Sequence, residues 1–348
     1  MSVAGPPPAD RSSPVASGRP ARAASAGLAP FPFLVGCGRS GTTLVRAMLD
    51  AHPDVAVPDE VAFVIRYARP HYALHYGWPR RFDVGRCAAL LTADASFRRW
   101  GLGTDQVAAA LSDPAPATYA ETVRRLYAAA AAARGKPRYA DKTPSHVLHL
   151  RRLARTFPES KFVHVVRDGR DVAMSYRSVA WGPSSVEEAA LRWRRSVRRG
   201  RIDGRHLGAD RYCEVRYEEL VADPRTVMFE LCRFLELPWD EAVLRHQERA
   251  ADVIAATRFP DAHRRLLLPP TPGLRDWRRE MPPADVARFE AIAGGTLDEL
   301  GYRRGSRPSI TRRPRAVAQI AVDVVSRSST QLRAGVRVVG RRARRPGG

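Results

Sequence analysis

A glycine-rich stretch early in the chain, 33-FLVGCGRSGTTLVRAMLD-50, has the residue types and spacing of a phosphate-binding loop. Gly36 and Gly41 form the Gly-x-x-x-x-Gly frame of a P-loop, but Thr42-Thr43 stands where a P-loop carries Lys-Ser or Lys-Thr. A strand that runs through such a turn into a helix directs backbone N–H groups and the positive end of the helix dipole at an anion. The sequence therefore predicts an anion site without the lysine, formed by Gly38, Arg39, Ser40, Gly41, Thr42 and Thr43.

A second strand-to-helix junction, 161-KFVHVVRDGRDVAMSY-176, carries an arginine and a serine that could share one anion. Arg167 ends the apolar strand, and Ser175 lies eight residues later, near the end of the second turn of the predicted helix. Both are expected at the carboxyl edge of the sheet, where open α/β sheets bind ligands. The alternative is that Arg167 pairs with Asp168 or Asp171 and has only a structural role.

The elements that must position these residues alternate between short apolar strands and helices. Strands are predicted at 33–37, 55–57, 138–140, 161–167 and 211–217. Helices are predicted at 41–51, 144–156, 171–179, 185–199, 224–235 and 283–300, with several more in the alanine-rich stretch 84–134. Irregular loops are expected around 200–210 and 256–275. This alternation predicts an α/β fold, a parallel β-sheet with helices on both faces.

The chain of 348 residues has a formal net charge of +22, which favours a polyanion partner or an acidic membrane surface. Nearly all of the excess is arginine, a bias typical of a GC-rich genome. Residues 305–348 contain eleven arginines and one aspartate, so about +10 of the charge lies in this tail. The rest of the chain does not combine a basic face with interleaved aromatic side chains, which argues against specific nucleic-acid binding.

Composition divides the chain into three segments. Residues 1–30 are rich in Ala, Pro, Ser and Gly, lack the pattern of a signal peptide and are predicted to be disordered. Residues 31–304 form the predicted domain, and 305–348 a basic tail that is amphipathic or disordered. The apolar run 316-AVAQIAVDVV-325 between arginines could lie on an anionic membrane surface. No stretch has the roughly 20 apolar residues of a transmembrane helix.

The four cysteines are widely spaced, without a C-x-x-C pair or a histidine at metal-ligand spacing. We expect free thiols in a reducing compartment and no zinc site. Because neither a signal-peptide pattern nor a transmembrane stretch is found, the predicted location is cytoplasmic, with peripheral contact at the inner membrane as the alternative for the tail.

Taken in chain order, these motifs resemble those of sulfotransferases that use 3′-phosphoadenosine 5′-phosphosulfate (PAPS). The loop 39-RSGTT-43 resembles the family's 5′-phosphosulfate loop, and Arg167 with Ser175 resembles its 3′-phosphate site. The resemblance covers residues 31–303 and includes 141-DKTP-144, 216-RYEEL-220, Asp223-Pro224 and 300-LGY-302. It is nearest to the tyrosylprotein branch, in which Arg-Ser-Gly-Thr-Thr-Leu runs into a segment like 46-RAMLDAHP-53 and an acidic cluster.

The resemblance implies a P-loop-like sulfotransferase fold and in-line transfer of the sulfuryl group of PAPS to an acceptor hydroxyl. A sulfuryl group carries about one negative charge fewer than a phosphoryl group, so fixed donors can replace the Walker lysine and Mg²⁺; no metal is expected. The leaving oxygen gains charge as its S–O bond lengthens, so a cation there stabilises the transition state. Lys142, between a short strand and a Pro-started helix, is the candidate cation, and Arg39 is expected to hold the same oxygens.

The acceptor hydroxyl needs a base, and the resemblance implies Glu60. Its spacing from Arg39 is similar to that of the catalytic glutamate in the tyrosylprotein branch. In this interpretation Asp59 caps the helix that starts nearby. The alternative is that Glu60 is itself a cap, with His52 and His146 as the next candidate bases.

Two further cofactor contacts are implied. Tyr217 resembles the family's adenine-contacting tyrosine, with strand-end packing as the alternative. The family often carries Lys or Arg directly before a late tryptophan, whereas here Asp276 precedes Trp277. In the family this basic residue reaches the cofactor phosphates, and Arg275 or Arg278 could make that contact here.

The acceptor is a tyrosyl or phenolic hydroxyl by resemblance, with a carbohydrate, lipid or secondary metabolite as alternatives. The tyrosylprotein branch places a basic residue for acidic peptides two positions after its glutamate, where this chain has Ala62; Arg66 is the nearest substitute. The region 63–135, with Tyr67, Tyr72, Tyr76, Trp78 and Trp100, is the predicted acceptor wall or lid, with ordinary core packing of these aromatic residues as the alternative. The competing classes are a P-loop kinase, which would need Mg²⁺ and a lysine at Thr42, and a non-enzymatic nucleic-acid or membrane-binding protein.

Overall fold

The computed structural model describes residues 28–69, 76, 82–255, 266–271 and 276–305. The tail from residue 306 onward lies outside these ranges, as do nearly all of the N-terminal segment and Tyr72, Trp78 and Arg275. Among the described residues, no helix combines the length and the apolar character needed to cross a membrane.

A four-stranded, fully parallel sheet lies at the centre of the fold. Its strands are, in spatial order, β4 (Asp141–Lys142), β1 (Phe31–Gly36), β5 (Ser160–Val166) and β6 (Tyr212–Arg216). A separate parallel pair consists of β2 (Val55–Ala56) and β3 (Arg138–Tyr139). The predicted strand 138–140 corresponds to β3. The Ala140 N–H still donates to the Ala56 carbonyl of β2 across 2.9 Å, and the chain then pairs with β1 from Asp141 onward.

The helices have the following bounds. The first six are α1 (Thr42–Ala51), α2 (Phe63–Arg66), α3 (Val84–Thr92), α4 (Ala95–Arg98), α5 (Thr104–Leu111) and α6 (Tyr119–Ala132). After β4 follow a 3₁₀ helix (Pro144–His149), α7 (Leu150–Thr156), α8 (Gly169–Tyr176), α9 (Val186–Leu207), α10 (Tyr217–Ala222) and α11 (Pro224–Phe234). The described part ends with a second 3₁₀ helix (Glu241–Arg249), α12 (Ala250–Ala255), α13 (Trp277–Glu280) and α14 (Pro283–Glu299).

Both faces of the central sheet are covered, as the apolar strands predict. Leu34 and Val163 point to one face, where they pack in one core cluster with residues of α1 and α11. Phe33 and Phe162 point to the other face and pack with the first 3₁₀ helix and α7. Because successive side chains of a strand alternate between faces, each strand serves both cores. The predicted α/β fold is confirmed.

Helix α9 runs to Leu207, so the irregular loop predicted around 200–210 is wrong in its first eight residues. Gly200 and Gly204 in this stretch are close-packing positions. A Cβ at Gly200 would lie 2.6 Å from His164 Cε1, and one at Gly204 would lie 2.5 Å from the Tyr212 ring. The helix therefore continues because its backbone must approach β5 and β6 closely.

Candidate active site

The loop from β1 to α1 has the backbone geometry of an anion cradle. Arg39 has φ 70° and Gly41 has φ 100°, both in the left-handed region, while the intervening Ser40 is not left-handed. Alternation of handedness along successive residues turns their N–H groups toward one point. Gly41 also directly underlies the Tyr217 ring, where a side chain would collide. Helix α1 then starts without a side-chain cap or an acidic residue in its first turn, which leaves its positive end open to an anion.

The rest of the loop is fixed by a hydrogen bond within it and by close packing against Tyr176 of α8. The Ser40 hydroxyl donates to the Cys37 carbonyl, and a Cβ at Gly38 would lie 2.8 Å from the Tyr176 hydroxyl. Burial raises the pKa of the Cys37 thiol to about 11, so this cysteine stays protonated at neutral pH and is a packing residue.

Arg39 joins the two predicted anion sites. Its Nε donates to Ser175 Oγ across 3.1 Å, so the loop of the first site touches the serine of the second. Ser175 lies in the last turn of α8 and is buried. The two sites are therefore parts of one surface at the carboxyl edge of β1 and β5.

Arg167 follows β5 and is a buried cation without an anionic partner among the described residues. Its Nε makes no hydrogen bond there, and its guanidinium lies 4.2 Å from the centroid of the Tyr217 ring. Neither carboxylate considered from the sequence hydrogen-bonds Arg167. Asp168 binds the Arg170 guanidinium. Asp171, whose pKa is raised by burial and lowered in part by the nearby Arg167 charge, accepts the Trp277 backbone N–H across 2.8 Å. An unpaired buried guanidinium calls for an anionic ligand.

Lys142 and Glu60 meet beside the loop. Lys142, at the end of β4, is 1% exposed, yet its ammonium forms an ion pair with the Glu60 carboxylate. The ammonium also lies 3.4 Å from Thr43 Oγ1 in the first turn of α1. Burial lowers the pKa of Lys142, and the Glu60 charge opposes that shift. The Glu60 side chain is 44% exposed, so an acceptor can reach it.

Asp59 does not cap a helix, which corrects the sequence-based expectation. Helix α2 starts after Ala62 without a side-chain cap, and the buried Asp59 carboxylate instead pairs with Arg46 and Arg99. Each of the two alternative bases has a ring nitrogen engaged, although His146 Nε2 has no partner among the described residues. His52 Nε2 contacts the Pro238 carbonyl at 2.9 Å, and His146 Nδ1 contacts Asp141 Oδ1 at 3.0 Å, both in buried positions.

Two motifs without a sequence-assigned role support the 3′ side of the site. Glu218 accepts the Asp168 N–H across 2.9 Å through Oε1 and the Tyr302 hydroxyl across 3.0 Å through Oε2. The carboxylate thus ties the start of α8 to the end of the described domain. The motifs 216-RYEEL-220 and 300-LGY-302 contained both residues, but only the tertiary structure pairs them.

Of the five aromatic residues predicted as an acceptor wall, two are core, Tyr67 is half-buried, and Tyr72 and Trp78 lie outside the described residues. Tyr76 is stacked on Tyr119 with 5.8 Å between ring centroids, and Trp100 packs edge-on to Tyr127 at 4.6 Å. Both are buried. At the other end of the site, Arg278 is turned onto Asp276 and the Trp277 ring. Arg275, the other predicted substitute there, lies outside the described residues.

The residues present fit an adenosine 3′-phosphate 5′-phosphosulfate. The uncapped α1 and its loop offer donors to one anion, and the orphaned Arg167 with Ser175 offers donors to a second. The Tyr217 ring lies between them. The described residues contain no cluster of His, Cys, Asp and Glu that could hold a metal ion.

Comparison with known proteins agrees with this geometry. Residues 30–241 match the Sulfotransferase family. The chain is 31% identical over 295 residues to protein-tyrosine sulfotransferase 1 of Danio rerio, covering 82% of this chain and 76% of that protein. It is 28% identical over 298 residues to the protein-tyrosine sulfotransferase of Drosophila melanogaster, covering 83% of this chain and 55% of that protein. The structure is similar to the sulfotransferase domain of the Synechococcus PCC 7002 olefin synthase, with TM-score 0.50 and 26% identity over 76% of this chain and 94% of that domain.

The chain belongs to the sulfotransferase family. It is an enzyme that transfers a sulfuryl group, and its donor is PAPS. The predicted fold, enzyme class and cofactor are thereby confirmed, and the P-loop kinase is excluded. The roles of individual site residues stay predictions.

Proposed function

We propose that the protein sulfates phenolic hydroxyl groups, the tyrosyl side chain first among them, with Glu60 as general base and Lys142 as the cation at the leaving oxygen. The observation that carries the proposal is the Lys142–Glu60 ion pair beside Thr43. A base and a cation side by side at an anion-binding loop match the two charge changes of sulfuryl transfer.

PAPS supplies an activated sulfuryl group whose leaving group is a phosphate. The Glu60 carboxylate takes the proton of the acceptor hydroxyl as the new S–O bond forms. Lys142 stabilises the charge that develops on the phosphate oxygen when the old S–O bond breaks. Arg167, Ser175 and the Tyr217 ring hold the nucleotide end, so that adenosine 3′,5′-bisphosphate leaves with its electron pair and without a proton from the base.

The ion pair also favours the charged form of Lys142. A fully buried ammonium loses its proton readily, because burial disfavours the charged form. The carboxylate of Glu60 counters this effect on the pKa of Lys142. Glu60 therefore contributes to the charge of Lys142 as well as to proton removal.

The phenolic acceptor class is supported by two relatives that are named protein-tyrosine sulfotransferases. Acidic neighbours in the acceptor are not required by this site. Ala62 is exposed but uncharged, and the Arg66 guanidinium already donates to the buried Asp94 carboxylate across 2.7 Å. We therefore propose a tyrosyl or phenolic acceptor whose flanking charge has little influence.

The proposal is tested by sulfate transfer from isotopically labelled PAPS to a panel of acceptors. The panel contains a neutral tyrosine peptide, the same peptide with acidic flanks, 4-nitrophenol, a hexose and a long-chain alcohol. We expect transfer to the three phenolic acceptors, with similar kcat/KM for the two peptides. Transfer confined to the hexose or the alcohol would overturn the phenolic assignment, and a strong preference for the acidic peptide would overturn the account of Arg66.

A further inference from the structure

The segment that carries Glu60, residues 57–61, has neither helical nor strand structure, although four of its five residues are buried. We call it the base segment. Buried carbonyl groups must be hydrogen-bonded, and here side chains do this. Arg46 Nε donates to the Val57 carbonyl, Trp100 Nε1 to the Asp59 carbonyl and Arg99 Nη2 to the Glu60 carbonyl, each across 3.0 Å.

Arg99 makes two contacts with the base segment at once. Its Nε donates to Asp59 Oδ2, while its Nη2 reaches the Glu60 carbonyl. The flat guanidinium holds its donors in a fixed fork, so the ion pair with Asp59 also fixes the contact with Glu60. Asp59 is in turn held by the fully buried Arg46, whose Nη1 lies 3.5 Å from Asp59 Oδ1.

The other end of the base segment is fixed to the strand that carries Lys142. The Val61 N–H donates to Thr143 Oγ1 across 3.1 Å, and Thr143 directly follows Lys142. Glu60 therefore lies between two attachments. On one side is the Arg99 guanidinium, which we call the clamp, and on the other is Thr143, the residue that follows Lys142. Without Arg99, the Glu60 carbonyl loses its hydrogen bond, and the segment before Glu60 is held only by Arg46 and Trp100.

We propose that Arg99 is a positioning residue for Glu60: its guanidinium fork on Asp59 and on the Glu60 carbonyl sets where the base stands relative to Lys142. This inference rests on the proposed role of Glu60. Arg99 follows α4, in the region between the loop and β3, so this region contributes to the site by positioning the base.

The first test is a double-mutant cycle on turnover of 4-nitrophenol and the neutral tyrosine peptide. Arg99→Met keeps the stem and removes every donor, and we expect kcat to fall by about 10- to 10²-fold, the cost of misplacing a catalytic group by roughly an ångström. The affinity for adenosine 3′,5′-bisphosphate should be little changed, because Arg99 does not touch the loop. In the Glu60→Gln background the same change should cost no more than about twofold, since residues that act through one another are not additive.

Arg124→Met is the matched control. Arg124 binds the buried Glu159 carboxylate through two nitrogens, with side-chain exposures of 20% and 3%, against 30% and 3% for Arg99 and Asp59. Both variants leave a buried carboxylate short of a partner, so both should lose stability. Only Arg99→Met should lower kcat. Arg99→Lys keeps a positive charge beside Asp59 but cannot bind Asp59 and the Glu60 carbonyl at once, so it should recover part of the loss.

The second readout does not depend on turnover. Amide hydrogen exchange of the base segment should be faster in Arg99→Met than in the wild type, and unchanged in Arg124→Met. An equal fold loss from Arg99→Met with and without Glu60→Gln, or unchanged exchange, would overturn the inference. If Glu60→Gln alone leaves turnover intact while amide exchange of the base segment is still faster in Arg99→Met, then Glu60 is not the base, but Arg99 still holds the segment in place.

Discussion

Lys142 is one of three lysines in a chain with 58 basic residues, and it is buried. A buried ammonium is stable only with partners, and here these are the Glu60 carboxylate and the Thr43 hydroxyl. The choice of lysine over arginine suits a compact charge that must serve one oxygen atom. At the scale of single residues, the chemistry of the site is thus the pairing of one cation with one base.

Glu60→Gln keeps the size of the side chain and removes the base. We expect turnover of a poorly acidic phenol to fall by about 10²- to 10⁴-fold, with little change in the affinity for adenosine 3′,5′-bisphosphate. Steady-state kinetics and calorimetry measure the two quantities. Glu236→Gln is the control, since Glu236 is an exposed glutamate paired with Lys161 at 2.7 Å. Near-full turnover in Glu60→Gln would mean that the base lies elsewhere.

Arg167→Ala removes the orphaned guanidinium. Binding of adenosine 3′,5′-bisphosphate should weaken by about 1.5–3 kcal/mol, the usual value of a charged hydrogen bond. In the wild type this nucleotide should raise the Tm by mass action, and AMP or ATP at equal concentration should do so much less. Equal shifts from all three nucleotides would remove the 3′-phosphate site.

Asp171 gives the stability of the fold a dependence on pH. Burial raises the pKa of its carboxyl to about 6 from an ordinary value of 3.8, with Arg167 opposing the shift. The folded state therefore holds this proton more tightly than the unfolded state, and stability is lost as the pH rises through about 6. Asp171→Asn keeps the acceptor for the Trp277 N–H and should gain about 1–3 kcal/mol relative to the wild type at pH 8, but little at pH 4.

Urea denaturation at the two pH values measures this difference. A gain from Asp171→Asn that is equal at both pH values would contradict the account, because it would not arise from titration.

At the scale of elements, glycines decide where backbones can meet. Gly41 lets α1 start under the Tyr217 ring, and Gly200 lets α9 lie against His164 and Val147. A residue that weakens an isolated helix therefore stabilises this one by allowing close packing. Where no other atom lies close to it, a helical glycine brings no packing advantage and only weakens the helix.

Gly200→Ala and Gly295→Ala separate these two meanings. The first should destabilise the fold by about 1–3 kcal/mol, because the added methyl group meets the His164 ring at 2.6 Å. The second is exposed in α14 with no atom within 4 Å, and should stabilise it by up to about 1 kcal/mol through helix propensity. Thermal unfolding compares them, and effects of the same sign would contradict the packing argument.

At the scale of the whole molecule, residues from position 39 to 302 converge on one edge of the sheet. The last described residue, Gly305, still packs with the domain, because its N–H donates to Glu290 across 2.8 Å. The domain boundary at residue 304 stays a prediction. The basic tail beyond Gly305 is outside the described ranges. Its contact with an acidic membrane and the cytoplasmic location of the protein stay predictions.

Deletion of residues 306–348 should leave the Tm and the turnover of a soluble phenol nearly unchanged. If the tail lies on anionic membranes, full-length protein should sediment with acidic liposomes at low salt, and the deleted form should not. Full-length protein that ignores such liposomes would rule out the membrane contact. A deleted form that fails to fold would show that the boundary is misplaced.

The sequence by itself determined the sheet, the loop and the identity of the residues that meet there. Strand-to-helix junctions fix which residues stand at the carboxyl edge, and Arg39, Lys142, Arg167 and Ser175 follow from their local positions. Only the tertiary structure decided what each charged side chain pairs with. Asp59 was expected to cap a helix and instead binds Arg46 and Arg99, and Gly200 was expected in a loop and lies within α9. The reason is physical: backbone geometry depends on near neighbours in the chain, whereas the partner of a buried charge depends on which distant elements pack around it.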